Sequence, residues 1–256
     1  MVKEEDRPTS YDGLFIRWLG GPSVEFVSGC ISGFVDPFFS DWGNDEWVRA
    51  FPPLIDPHRV RRCDLVLITH EHEDHCDPVT IRALVAHNNP YVLAPAPAAE
   101  RLQLAKETKE IPMNVRIVAA GEKHVFGELT VKVFRTSDPL SQAPVGYLLR
   151  TKTVGVAFMG DSLFDEDLLV RVKAMGEIDA VFVSVGKNPP EQRYYYSVDD
   201  LQKAAAILYP ATVIPIHWDL WTKTFVDLSE RATAERLLRQ NRNVLILHRG
   251  ANIVLH

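Results

Sequence analysis

Cysteine is scarce in this chain. Cys30, Cys63 and Cys76 are the whole complement among 256 residues. They form no CxxC pair and no even-numbered framework, which excludes a disulfide-stapled scaffold and suits a reducing compartment. The expected location is the cytoplasm. No apolar run approaches the length of a membrane span, so membrane insertion is not expected. Residues 1–10 are charged and lack an apolar h-region, so no secretory signal is visible. Basic charge is also in deficit. A net charge of −6 argues against general affinity for nucleic acid or an anionic membrane, leaving room only for a local basic patch. Internal repeats, low-complexity segments and linkers are absent. Apolar content of 46% and charged content of 24% fit a soluble globular protein. An unbroken alternation of strands and helices then reads as a single domain over 1–256.

What the chain does have is one dense cluster, Thr69-His70-Glu71-His72-Glu73-Asp74-His75, directly after the apolar run Leu65-Val66-Leu67-Ile68. Imidazole nitrogen and carboxylate oxygen suit divalent zinc, manganese or iron. A spacing of two residues cannot align these side chains on one helix face, where neighbours lie three or four apart. It suits a loop leaving a strand end, with alternate side chains aimed at two nearby points. His70 and His72 read as ligands of one ion, Asp74 and His75 as ligands of another. The bland alternative is a polar loop with accidental histidines.

The rest of the chain supplies an α/β frame. Leu14–Leu19 and Val24–Val27 read as a hairpin around Gly20-Gly21-Pro22, and Ile31–Val35 as a third strand ending at Asp36-Pro37. Residues 38–58, rich in Pro, Asp and aromatics, read either as a long loop over the site or as aromatics packed on the body. Helices are expected over Pro78–His87, Ala98–Thr108, Asp165–Met175 and Ser197–Leu208, the last with Ser197 as N-cap. Strands are expected at Tyr91–Ala94, Val115–Val118, Lys123–Phe126, Leu129–Phe134, Val145–Leu149, Val154–Met159, Ala180–Val185, Thr212–Ile216 and Val244–Leu247. Cys76 reads as a buried thiol or as a neighbour of the site, and His248 as a residue that could reach its rim.

The cluster resembles the His-x-His-x-Asp-His signature of the metallo-β-lactamase superfamily of binuclear hydrolases. The Trp18-Leu19-Gly20 opening and its hairpin, Gly160-Asp161-Ser162 at a strand end, and His217-Trp218-Asp219-Leu220-Trp221 after an apolar strand carry the resemblance along the chain. It implies a four-layer αββα sandwich with two mixed β-sheets face to face, and a site at the edge where the ligand-bearing strands end. It also implies that Asp161 bridges two ions, that His217 is the last ligand, and that Asp36 braces the metal loop, although Asp36 could equally open a turn before Pro37. Family members usually carry a further histidine after the strand matching Val131–Phe134. Here Arg135-Thr136-Ser137-Asp138-Pro139 follows, so Asp138 is either the ligand in its place or merely a turn residue. An aspartate there, with Gly186-x-Asn188-Pro189 and His217-x-Asp219-x-Trp221, resembles the L-ascorbate-6-phosphate lactonase group. Asp219 is then a supporting residue.

The ligand sets implied are His70, His72 and Asp138 for one ion and Asp74, His75 and His217 for the other. An oxygen-richer set tilts preference from zinc towards manganese, with iron a further option. The expected enzyme is a metal-dependent hydrolase in which a hydroxide held between two ions attacks a small anionic lactone or ester, such as a phosphorylated sugar lactone. Asp74 and Asp161 are its candidate catalytic carboxylates, Asp74 as a proton relay. Lys187 and Arg193, beside Tyr194, Tyr195 and Tyr196, are candidates for holding a phosphate, or they merely offset acids such as Glu191. The competing expectations are a phosphodiesterase, lipid phosphodiesterases included, and a non-catalytic metal-binding protein. The partner is a small molecule, and homo-oligomerisation is left open.

Overall fold

The computed structural model describes residues 7–187, 193–223 and 243–256. In chain order the elements are β1 (Tyr11–Gly20), β2 (Ser23–Gly29), β3 (Ile31–Val35), β4 (Leu65–Leu67), α1 (Pro78–Asn88), β5 (Tyr91–Ala94), α2 (Ala96–Leu104), β6 (Asn114–Ile117), β7 (Lys123–Phe126), β8 (Leu129–Arg135), β9 (Val145–Arg150), β10 (Gly155–Phe158), α3 (Glu166–Ala174), β11 (Ala180–Ser184), α4 (Val198–Leu208), β12 (Thr212–Ile216) and β13 (Asn252–Leu255).

Two mixed sheets result. One has the order β13-β1-β2-β3-β4-β5-β6, the other β12-β11-β10-β9-β8-β7. In each, an antiparallel meander passes into a parallel run, β3 to β6 in the first and β10 to β12 in the second. The period of two along a strand sends alternate side chains to opposite faces. Leu65 and Leu67, Leu149 and Tyr147, Val156 and Phe158 therefore meet in one core between the sheets. Val66, Val92 and Ala94 turn outward onto Ile81 and Leu84 of α1 and Ala98 and Leu102 of α2. Leu148, Ala157, Val181 and Val213 turn outward onto α3 and α4. Both sheets are thus apolar on both faces, and the layers run α1/α2, sheet, sheet, α3/α4. That is the expected four-layer sandwich.

Caps set two of the helix starts near the site. The Asp77 side chain accepts from Val79 N–H, so α1 starts where the metal loop ends. Ser197 caps α4 in a reciprocal capping box with Asp200. The chain end differs from expectation. Val244 forms a single bridge to Val213, and Leu245–Leu247 leave the sheet with Leu247 tucked into the core. The last strand is β13, antiparallel to β1. At four residues, half-exposed at a sheet edge, it is too short to stand out in the sequence.

Candidate metal centre

The loop that follows β4 is held before any ligand is. Asp36, at the end of β3 with φ 44°, accepts three hydrogen bonds: from Thr69 N–H at 2.7 Å, from the Thr69 hydroxyl at 2.7 Å, and from His75 Nδ1 at 2.8 Å. Because Asp36 can only accept when ionised, His75 carries its proton on Nδ1 and turns Nε2 inward. The Thr69 hydroxyl, having donated to Asp36, accepts from His70 Nδ1 at 2.9 Å, which turns His70 Nε2 inward as well. Asp36 thus braces the loop and does not reach the ligand atoms. The opposite sheet docks on the same threonine: Val145 N–H donates to Thr69 O, and Gly160, with φ 60°, lies so close that a Cβ there would stand 2.9 Å from Thr69 Oγ1.

Against the loop, β8, β10 and β12 deliver Asp138, Asp161 and His217. Ligands gather at the carboxyl ends of such strands in open α/β sheets. Asp138 Oδ1 accepts from Leu140 N–H at 2.9 Å, while Oδ2 lies 3.5 Å from His70 Nε2 and 3.7 Å from His72 Nδ1. Asp161 Oδ1 lies 3.3 Å from His75 Nε2 and 3.8 Å from His217 Nε2. Asp74 Oδ2 lies 3.1 Å from His217 Nε2 and 3.9 Å from His75 Nε2. Three groups have all their ligand atoms within 4.8 Å of one another: His70, His72 and Asp138; Asp74, His75 and His217; and His70, His75 and Asp161. The seven side chains read as ligands from the sequence are therefore brought together, in the pairing expected of them, with Asp161 between the two sets.

The chemistry of the donors fits divalent ions. His75 Nε2, Asp138 Oδ2 and Asp161 Oδ1 are buried and have no hydrogen-bond partner among the described residues. Leaving such atoms unsatisfied costs roughly 1–3 kcal/mol each, so they call for partners that the neighbouring side chains do not supply. The charge balance points the same way. Burial pushes the Asp161 carboxyl up, but His75 and His217 outweigh it and hold Asp161 well below the usual carboxylate range. Burial likewise opposes ionisation of Asp74, and His75 and a hydrogen bond from His217 overcome it. His75 and His217 are raised in turn because Asp161, Asp74 and, for His75, Asp36 outweigh burial. Burial, then the neighbouring His75, keeps His70 neutral. Asp138 is pushed up to about 6, by burial and then by Asp161. The carboxylates demand positive charge at their centre, which a cation would supply with the imidazoles neutral.

Above this centre lies a cleft of about 290 Å³, its lining Trp42, Glu46, Trp47, His72, Glu73, Asp74, Asp138, Leu140, Asp161, Tyr194, Tyr195 and Trp221. Within residues 38–58, Trp42 and Trp47 line the cleft while Phe38 packs with Leu220 and Trp221. Arg49 clamps the segment, donating to Phe38 O, Ser40 O and Phe51 O with its guanidinium 4.4 Å over the Phe38 ring. Lys187 and Arg193 are exposed and lie outside the described lining. Tyr194 and Tyr195 line it, whereas Tyr196 is buried under α3 and α4. Asp219 touches no ligand atom. It accepts from Gly21 N–H at 2.8 Å and, with Arg249 at 3.4 Å, ties the His217 loop to the β1–β2 turn. Cys76 points away, its thiol donating to Ala98 O, and burial pushes it up and keeps it inert. His248 is exposed and outside the cleft lining. Trp221 is the residue that sequence reasoning undervalued: its indole N–H donates to Asp74 Oδ2 at 3.1 Å.

Two face-to-face mixed sheets with a histidine–aspartate centre at their strand ends define a metallo-β-lactamase architecture. Residues 34–218 match the family described as the beta-lactamase superfamily domain, and the chain belongs to that superfamily. It is 24% identical over 246 residues to a UPF0173 metal-dependent hydrolase of Pyrococcus horikoshii, covering 94% of this chain and 99% of that one. It is 25% identical over 209 residues to a probable L-ascorbate-6-phosphate lactonase of Escherichia fergusonii, covering 72% of this chain and 56% of the other. Among solved structures, Igni18, a metallo hydrolase from Ignicoccus hospitalis, superposes with a TM-score of 0.73 at 14% identity, covering 95% of this chain and 98% of that one. No helix among the described residues is long and apolar enough to cross a membrane.

Proposed function

We propose that this chain is a metal-dependent hydrolase holding two divalent ions, and that it acts on a small lactone or ester. The convergence of seven ligand-type side chains from four strand ends, with three buried ligand-type atoms lacking a hydrogen-bond partner among the described residues, is the observation that carries the reading. His70, His72 and Asp138 would hold one ion, Asp74, His75 and His217 the other, and Asp161 both. Bound there, divalent ions would lower the pKa of a water and polarise a carbonyl or phosphoryl oxygen. The chain's own groups do the rest. Asp36 and Thr69 fix the tautomers of His75 and His70, so that neither of these imidazoles has to turn as the substrate arrives. Tyr195, whose phenol burial raises well above its ordinary value, stays protonated in the cleft lining. Trp42, Trp47 and Trp221 exclude water from one side.

The similarity to a probable L-ascorbate-6-phosphate lactonase supports a sugar lactone, and the aromatic walls can pack its ring. Two dications against Asp74, Asp138 and Asp161 would leave about one net positive charge for an anionic oxygen before a bound hydroxide is counted. The rim acids do not oppose this, since Glu46 is paired with Lys223 and Glu73 with Arg101. No lysine or arginine stands in the described lining, so a phosphate would have to reach out to Lys187 or Arg193. The test is turnover of a panel of phosphorylated lactones, their dephosphorylated forms and phosphodiesters, by zinc- or manganese-loaded and by chelated protein. Lactone turnover that needs metal supports the reading. Arg193→Ala and Lys187→Ala should raise KM for the phosphorylated substrate alone. Phosphodiester cleavage without lactone turnover would replace the reading with a phosphodiesterase, and tight metal binding without any turnover with a binding protein.

A further inference from the structure

We infer that Trp221 is a positioning residue for Asp74, its indole N–H holding that carboxylate towards the second ion, and that residues 38–50 hold the indole in turn. The inference rests on the two-ion reading above and assigns a task to a residue outside the ligand set. Its first support is the hydrogen bond from Trp221 Nε1 to Asp74 Oδ2 at 3.1 Å, made between two buried groups. His217 Nε2 reaches the same oxygen at 3.1 Å, and these two are the hydrogen-bond partners of Asp74 among the described residues. They are not equivalent. His217 Nε2 is a ligand-type atom that turns to an ion when one is bound, whereas an indole N–H only donates. With an ion in place, Trp221 is the contact that stays on Asp74.

The second support is that other members of the centre are braced in the same way from outside. Asp36 holds His75, the Thr69 hydroxyl holds His70, and Leu140 N–H holds Asp138. Trp221 supplies the corresponding brace for Asp74. A third support is the care with which the ring is placed. Its centroid lies 5.9 Å from that of Phe38, 5.8 Å from Trp42 and 5.8 Å from Trp47. Ala50 N–H donates to Leu220 O and Thr222 N–H to Val48 O, so the backbone is pinned on both sides of the indole. A side chain serving only as apolar filler would need the ring packing and not the N–H.

Trp221→Phe keeps an aromatic ring in the cluster but removes the donor together with part of the buried ring volume. Zinc alone is the probe, titrated against a chromophoric chelator. In Trp221→Phe one of two zinc affinities should fall roughly tenfold or more, the other staying within about twofold, as for other groups that orient ligands. Trp42→Phe, which alters a ring packed on Trp221 but leaves the indole donor in place, should lower the same zinc affinity by less than Trp221→Phe does. Thermal unfolding of the metal-free variants checks that both are folded at the titration temperature, since a smaller ring in a buried site lowers Tm. Trp221→Phe that binds two zinc ions as tightly as the unsubstituted protein overturns the inference. Should Trp221→Phe not fold, the indole resonances of the 15N-labelled unsubstituted protein decide. The Trp221 indole proton should be protected from solvent exchange and should shift on zinc addition, and a fast-exchanging or unmoved resonance overturns the inference. An unsubstituted protein that takes up no zinc is a separate outcome, since it overturns the two-ion reading itself.

Discussion

Asp138 divides its oxygens between two tasks, Oδ1 closing a turn onto Leu140 N–H and Oδ2 facing His70 and His72. The two sequence readings of this residue, turn former and ligand, are therefore compatible. Asp138→Asn separates them, because an amide oxygen still accepts from Leu140 while the anionic oxygen is lost. The variant should fold with stability within about 1 kcal/mol of the parent when metal-free, and should retain one ion instead of two after dialysis. Elemental analysis beside a denaturation curve checks both halves, and retention of two ions would show that Asp138 is only a turn residue. Asp36 is different in kind. It is buried, and three donors converge on it. Asp36→Ala strands all three at roughly 1 kcal/mol each, so a loss of about 3 kcal/mol is expected by urea unfolding even without metal. A metal-free loss much below 1 kcal/mol would mean that the loop does not depend on this brace.

At the level of elements, the decisive contact is where β10 meets the metal loop. Gly160 lies at φ 60°, and an added Cβ would meet Thr69 Cβ and Oγ1 at 2.9 Å, while Thr69 holds His70. Gly160→Ala combines an unfavourable backbone with a displaced threonine, and should cost about 1–3 kcal/mol and weaken metal binding. Unfolding and zinc titrations of the same sample check it, and unchanged affinity would separate the turn from the site. The strands that end at His70, Asp161 and His217 were legible because a continuous apolar run followed by a ligand residue reads the same wherever it occurs. Their partners were less so. Residues 38–51 are held by Arg49, a bridge to Trp221 and aromatic edges, none of which has a period. The bond from Trp221 to Asp74 spans 147 positions, and nothing local announces it. Lys187 and Arg193 have the right chemistry for phosphate, yet proximity along the chain to Tyr194 did not place them in the cleft lining.

Across the whole molecule the centre joins the two sheets. His70, His72, Asp74 and His75 leave β4 of one sheet, whereas Asp138, Asp161 and His217 leave β8, β10 and β12 of the other. Each cluster spans the divide: from the far sheet Asp138 joins His70 and His72, His217 joins Asp74 and His75, and Asp161 joins His70 and His75. The order of strands and helices supported an α/β frame, and the two facing sheets came from the family resemblance, because the facing of one against the other depends on contacts between distant segments, such as the Tyr147 hydroxyl donating to Ile68 O and Leu93 O. A pair of ions bound there would resist separation of the sheets as a cross-link does, and binding to the folded state alone stabilises it by mass action. At a free ion concentration about 100 times Kd, one site contributes about 2.7 kcal/mol. For a domain of this size that corresponds to a rise in Tm of roughly 5–10 °C per ion. Because ligand imidazoles and carboxylates must be unprotonated to bind, the metal-dependent part of Tm should shrink as pH falls from neutral into the acid range. Calorimetry with excess zinc and with chelator, repeated across pH, measures it. A Tm difference that is absent at neutral pH, or that grows in acid, would contradict a centre built from these seven groups.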